Sequence, residues 1–317
     1  MSQLNWTEAQ WNRVNSAITE EFTKASVAGA FLPCYGPLEG SAETVKEEII
    51  DVDFVTGFIS VSDSRNLTLW NLTVNVELSH QQVVDESLSS SMLAFRRASN
   101  SLAKAEDYIV LSGYSRSTRV ASPGSPRPFL TNLPNVAPTN LNLLVLSGSD
   151  HAIGLAEEGT IYSGTNAMPG NRRGLPLVTG STAPLRGSNL VQAIAQAIAM
   201  LEAASHPGPF ACVLGNQTFV DAHSPTPGSL VLPVDRILPL IGGPLLRSSS
   251  MEPDVGIVVS LAGDAIDIVV ATPPKAQFLQ ISGAGKYLFR VYERFVLRIK
   301  DSSTPLNPGA VFTFHSC

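Results

Sequence analysis

The sequence predicts an α+β fold, and three stretches carry that prediction. They are an amphipathic helix at the N-terminus, paired apolar runs between Ile49 and Leu78, and a long helical run from Asp85 to Ser112. The helix is the best specified. Thr7 and Gln10 have the spacing of a capping box, in which hydroxyl and amide each satisfy a backbone group that a helix start leaves orphaned. Trp6 before the cap and Trp11 at the fourth helical position are placed for a hydrophobic staple. Trp11, Val14, Ile18, Phe22 and Ala25 recur at steps of three and four, which makes one apolar stripe. Asn12, Arg13, Asn15, Ser16, Thr19 and Glu20 take the other side.

From Ile49 to Leu78, β-type runs flank the polar stretch Ser62-Asp63-Ser64-Arg65-Asn66. The pattern predicts a long hairpin or arm with that stretch at its tip. Two strands alone are marginal in water, so a partner surface is expected to cover them. In the run from Asp85 to Ser112, Leu88, Met92, Phe95, Leu102, Ala105 and Ile109 give a helical stripe about 40 Å long. Residues 115–169 are rich in Pro, Ser, Asn and Gly and read as an extra surface loop or subdomain. Ser188 or Asn189 caps a further helix, Leu190 to Ala204. Gly208-Pro209 then turns into a buried strand, Phe210 to Leu214.

Hydrophobic residues make up 44% of the 317 and charged residues only 15%, against about 25% charged in an average soluble domain. Two readings fit: a surface hidden against partners, since obligate interfaces shed charge, or a large β-rich core with neutral loops. The net charge of −6 argues against a general nucleic-acid binder. Glu8, Glu20 and Glu21 near the start, with no apolar segment beside them, do not make a secretory leader. Gly263, Asp264 and Asp267 interrupt the most apolar stretch, Val255 to Ala271, before it reaches membrane-helix length. A soluble, cytoplasmic chain is expected.

Catalytic constellations are scarce. Gly113-Tyr114-Ser115-Arg116-Ser117 lacks the final glycine of a nucleophile elbow. The five histidines are scattered and read as solvated loop residues. Ser282-Gly283-Ala284-Gly285-Lys286 has Gln280 and Tyr287 where a phosphate loop needs Gly and Ser or Thr, so it is a turn. Asp264 and Asp267 read as solubilising residues. Cys34 and Cys212 lie in apolar runs and read as small buried side chains. No metal site or cofactor is indicated.

Between Thr7 and Pro37, a Thr-Glu-x-x-Trp helix ends near a Phe and leads to an apolar strand and a Gly-Pro turn. This arrangement resembles the start of the encapsulins, proteins that build icosahedral shells with the tailed-phage capsid fold. Further likenesses follow in order. Glu106-Asp107 and Gly113 resemble the end of the family's spine helix, echoed at Glu157-Glu158-Gly159; only the first copy has a helical run ahead of it. Gly208-Pro209-Phe210, Leu232-Pro233-Val234-Asp235-Arg236, Gly242-Gly243-Pro244, Gly263-Asp264 and the strand Tyr287 to Ile299 complete the series.

The resemblance implies a tailed-phage major-capsid-like fold with N-terminal helix, extended β-hairpin arm, long spine helix and mixed α/β axial domain. It divides the chain into 1–48 (helix and arm), 49–80 (extended loop), 81–187 (peripheral domain with the 115–169 insertion), 188–286 (axial domain) and 287–317 (return strand and tail). It implies a cage of many copies enclosing a peroxidase or ferritin-like cargo enzyme held by its C-terminal peptide, with no nucleic acid or membrane partner. Carried over by position, the docking candidates are Phe22, Val27, Phe31, Cys34 and Tyr35. With Ala28-Gly29-Ala30 and Leu32-Pro33-Cys34 in place of charges, an apolar dock with little salt dependence is expected. His223, Pro225, Pro227 and Gly228 resemble the loop around the five-fold pore. Gln81 and Gln82 stand where a flavin site would need an aromatic. A phage capsid protein shares the fold and is the nearest rival; a hydrolase with a dispersed Ser-His-Asp triad is the rival from another class.

Overall fold

The computed structural model describes residues 4–39, 42–53, 56–115, 144–147, 151–159, 188–226, 228–302 and 309–315. Helix α1 spans Glu8–Ala25 with Thr7 as its cap. The Gln10 backbone N–H donates to the Thr7 hydroxyl at 3.3 Å, and the Thr7 N–H donates to Gln10 Oε1 at 2.9 Å, closing the expected box. Trp6 and Trp11 meet edge to face at 5.1 Å between ring centres. Val14 and Ile18 are fully buried. Asn15 departs from its expected role as a solvated residue: its Oδ1 accepts the Ala276 N–H at 2.9 Å.

The principal sheet contains β1 (Cys34–Tyr35), β6 (Trp70–Leu78), β8 (Leu144–Ser147), β13 (Ile266–Ile281) and β14 (Tyr287–Ile299), in the order β1-β13-β14-β6-β8. β13 and β14 form a long antiparallel hairpin. Its turn is the Ser282–Lys286 stretch, closed by a 2.7 Å bond from the Ser282 N–H to the Lys286 carbonyl. Helices α1 and α3 (Ser89–Ser112) pack on one another and on this sheet. The expected stripe of α3 is buried throughout.

The long helix starts four residues later than the sequence suggests. Gln81 and Gln82 lie in a separate short helix, α2 (His80–Val84). The Asp85 carboxylate then accepts the Ser87 N–H at 3.0 Å and the Ser87 hydroxyl at 2.8 Å. A side chain bonded to its own backbone two residues on competes with helix propagation, so the chain turns before α3 begins.

The arm is a two-stranded ribbon, but its tip is elsewhere. β2 (Thr44–Lys46) pairs with β5 (Asn66–Thr68), and β3 (Ile49–Asp53) pairs with β4 (Phe58–Ser62). The reversal thus lies between Asp53 and Phe58, with Gly57 at φ +75°. The polar stretch 62–66 sits midway along the returning strand. There Lys46 pairs with Asp63, and Arg65 with Glu47 at 3.0 Å. Charge therefore marks the middle of the ribbon, where these cross-strand pairs form, and not its turn.

A second sheet has the order β11-β10-β12-β15, from β10 (Phe210–Leu214), β11 (Leu245–Arg247), β12 (Val255–Ser260) and β15 (Val311–His315). All of β10 is buried, as expected. Alternate residues face opposite sides. Ala211, Val213, Ile257 and Val259 join the core beneath α3, whereas Phe210, Cys212, Leu214 and Val258 face α5 (Ser188–Ala203) and α7 (Pro233–Ile241). A sheet buried on both faces reads as a continuous apolar run. β15 lies in the tail beyond Leu306, for which the sequence offered no placement.

Much of 115–169 lies outside the described residues. Its described parts include β8, at the edge of the principal sheet, and β9 (His151–Ala152), which pairs with β7 (Tyr114–Ser115). The Glu157-Glu158 echo forms only a four-residue helix, α4 (Leu155–Glu158), so the first copy is the end of the long helix. Gly159 stops α4 against β15. A Cβ there would lie 2.6 Å from the Thr313 backbone nitrogen, so only glycine fits.

Candidate functional surfaces

The five docking candidates divide by exposure. Phe22 is half-buried against the core and Phe31 is buried. Val27 is partly covered. Cys34 is exposed rather than buried, and Tyr35 is 55% exposed. The reason is that, among the described residues, β1 lies at the sheet edge, paired only with β13, so its side chains escape the core. The Arg298 guanidinium lies over the Tyr35 ring, 5.4 Å from its centre.

Asp107 on α3 holds the chain as it leaves α1. Its carboxylate accepts the Val27 N–H at 2.9 Å and the Ala28 N–H at 2.8 Å. Burial nevertheless pushes this carboxyl up to about 6, against the pull of those N–H groups, Ser26 and the Lys104 ammonium. Glu106 and Glu293 complete a buried acidic cluster. Burial holds the Glu106 carboxyl well above the usual range, with Asp107 adding repulsion; burial does the same to Glu293, with Glu106 and Asp107 adding theirs. Glu293 Oε1 finds no hydrogen-bond partner among the described residues.

This cluster sets a pH dependence. A carboxyl whose pKa is raised on folding holds its proton where the unfolded chain has released it, so stability falls as pH rises. For Asp107 the contribution is complete below the ordinary Asp value and is lost as pH rises through about 6. Glu106 and Glu293 extend the loss to higher pH. The melting temperature should therefore fall between pH 5 and pH 8. Glu293→Gln should flatten that fall by several degrees. An unchanged slope in the variant would remove Glu293 from the account.

A cleft of about 310 Å³ opens beside Val27, between α3 and the segment 247–250. Arg97, Lys104 and Arg247 line it. These cations come from α3 and the end of β11, not from the residues next to α1 in sequence.

The pore candidates cluster in part. His223 ends helix α6 (Asn216–Ala222), its ring 4.3 Å from that of Phe219 and its Nδ1 2.9 Å from the Phe219 carbonyl oxygen. Pro225 is exposed, as is Gly228 at φ +81°. Pro227 lies outside the described residues. Leu230 in the same loop is fully exposed and was not singled out from the sequence. An apolar residue in a Pro/Gly-rich loop was the available signal.

Two further expectations are corrected. Asp267 is not a solubilising residue but a buried partner of Arg298 and Lys300, while Asp264 remains exposed at a turn. His206 is buried, 3.5 Å from Asp301, rather than solvated. The tertiary partner in each case comes from a distant strand or loop, invisible in local pattern. His80 instead meets the Tyr287 hydroxyl at 3.1 Å.

A family model described as an encapsulating protein for peroxidase matches residues 137–296, just over half of the chain. The chain belongs to the encapsulin family. The type 1 encapsulin shell protein EncA of Myxococcus xanthus (strain DK1622) is 31% identical over 122 residues. That stretch covers 38% of this chain and 40% of EncA, about two fifths of the curated relative's length.

Among solved structures, the virus-like particle from Pyrococcus furiosus matches with a TM-score of 0.65 at 15% identity, covering 98% of this chain and 100% of that one. The Mycobacterium phage Bobi chain gives 0.55 at 15%, over 92% and 90%. At these identities the likeness shows the fold alone, which is that of tailed-phage capsids. Among the described residues, no encapsulin helix here is long and apolar enough to cross a membrane.

Proposed function

We propose that this chain assembles with copies of itself into a closed shell around a cargo protein. The observation that carries the reading is the exposed arm on an encapsulin fold. Phe58, Ile59 and Val61 are each about two-thirds exposed or more, on a two-stranded ribbon that is marginal without a covering surface. A neighbouring copy would supply that surface. The cargo would be a peroxidase or ferritin-like enzyme, docking by its C-terminal peptide near Phe22, Val27, Phe31, Cys34 and Tyr35. His223, Pro225, Pro227 and Gly228 would border a pore, and the shell would stand in the cytoplasm.

Negative-stain electron microscopy of the purified chain tests the assembly. Uniform closed particles are expected. The double variant Phe58→Ser and Ile59→Ser should lose them while keeping its circular dichroism, because it alters exposed residues only. Small oligomers from the unmodified chain across salt and pH would overturn the shell reading. Intact particles from the double variant would remove the arm from it.

A further inference from the structure

The cationic cleft between α3 and the segment 247–250 has no role so far. Arg97, Asn100, Ser101 and Lys104 recur at steps of three, four and seven, so one face of α3 forms its wall. Arg247 stands on the other side. Among the described residues, none of the three cations makes an ion pair. The nearby acids are already engaged: Asp107 with the Val27 and Ala28 N–H groups, and Glu21 with Asn100 Nδ2 at 2.9 Å. The walls are tied together. Ser250 Oγ donates to the Lys104 carbonyl at 3.2 Å, and Ser112 Oγ donates to the Ser250 carbonyl at 2.7 Å. Asp107 lines the same cleft and acts on Lys104, so the excess positive charge rests on Arg97 and Arg247, held on a fixed frame in a chain of net charge −6.

The cleft is long as well as charged. Arg97 and Lys104 are seven residues apart, about 10 Å along the helix axis. An extended peptide advances about 3.3 Å per residue, so carboxylates two or three residues apart reach both cations. We infer that the cleft binds an extended acidic segment of a partner protein, with two carboxylates at that spacing. This rests on the shell reading to the extent that the partner is cargo, since Val27 borders the cleft.

Fluorescence anisotropy of the full chain tests it, using a labelled octapeptide with Glu at positions 3 and 5 and a copy with Gln at both. The Glu peptide should bind at least tenfold more tightly, and added salt should weaken it. The exposed double variant Arg97→Glu and Arg247→Glu should lose that preference while keeping its circular dichroism. Equal binding of the two peptides, no binding, or an unaffected variant would overturn the inference. So would displacement by equimolar inorganic phosphate, which would assign the cleft to small oxyanions. A fluorescent protein bearing the Glu peptide at its C-terminus, co-expressed with the shell, separates the two readings. Peptide binding without co-sedimentation would leave the acidic site standing and remove its link to cargo; failure to form particles would strike the shell reading alone.

Discussion

Phe289→Ala is expected to destabilise the chain by about 3–5 kcal/mol, the range for removing a buried aromatic side chain. Phe289 is fully buried at the centre of an aromatic cluster. It stacks on Trp6 at 5.0 Å between ring centres and meets Phe95 at 5.5 Å and Phe278 at 5.4 Å edge to face. Trp11 lies at 6.2 Å. These rings join the N-terminal staple, the long helix and both strands of the long hairpin. Their loss forfeits the transfer energy of the ring and the pairwise aromatic terms, about 0.5–1.5 kcal/mol each. Chemical denaturation at fixed protein concentration, followed by tryptophan fluorescence, measures the change. Phe289→Leu should cost clearly less, because it refills part of the cavity. A loss below about 1 kcal/mol for the alanine variant would mean that the cluster relaxes to close the hole.

Asp267→Ala is the second large effect, about 3–5 kcal/mol, because it strands buried cations. Asp267 and Arg298 face each other across the long hairpin. Arg298 Nε donates to Oδ1 at 2.9 Å and Nη2 to Oδ2 at 2.7 Å, while Lys300 Nζ lies 2.9 Å from Oδ2. Arg298 also meets Glu48 of the arm at 2.9 Å. Removing the carboxylate leaves Arg298, whose side chain is 5% exposed, with Glu48 and the Tyr35 ring as its remaining partners among the described residues. The pair need not stabilise the fold relative to an apolar substitute, since desolvation offsets much of its attraction. Asp267→Ala combined with Arg298→Met should therefore recover much of the loss. A double variant as unstable as the single one would show that the arm, and not charge burial, depends on this contact.

The two effects differ in how readily the sequence revealed them. The staple pair Trp6 and Trp11 follows from helix geometry, and the capping box beside it is local by construction. Phe289 and Phe278 belong to a strand pattern that says which face is buried, but not what lies against it. Asp267 sits in an apolar run, where its neighbours suggested only an interruption. Its partner stands 31 residues away, brought opposite by the register of the hairpin.

The same boundary runs through the candidate surfaces. Cys34 carries an apolar sequence context yet emerges exposed, because exposure depends on its strand lying at a sheet edge. Arg97 and Lys104 look like ordinary solvated helix residues until Arg247 arrives from the end of another strand to make a cleft. By itself the sequence determined the first helix and its cap, the buried stripe of the long helix and the buried strand after Gly208-Pro209, since these depend on periodicity and on backbone groups a few residues apart. Only the tertiary structure decided the arm's turn, the acidic cluster, the Asp267 pair and the cationic cleft. Each of those needs groups from distant segments within a few ångströms, and burial and charge act on whatever lies nearby in space, however far apart in the chain.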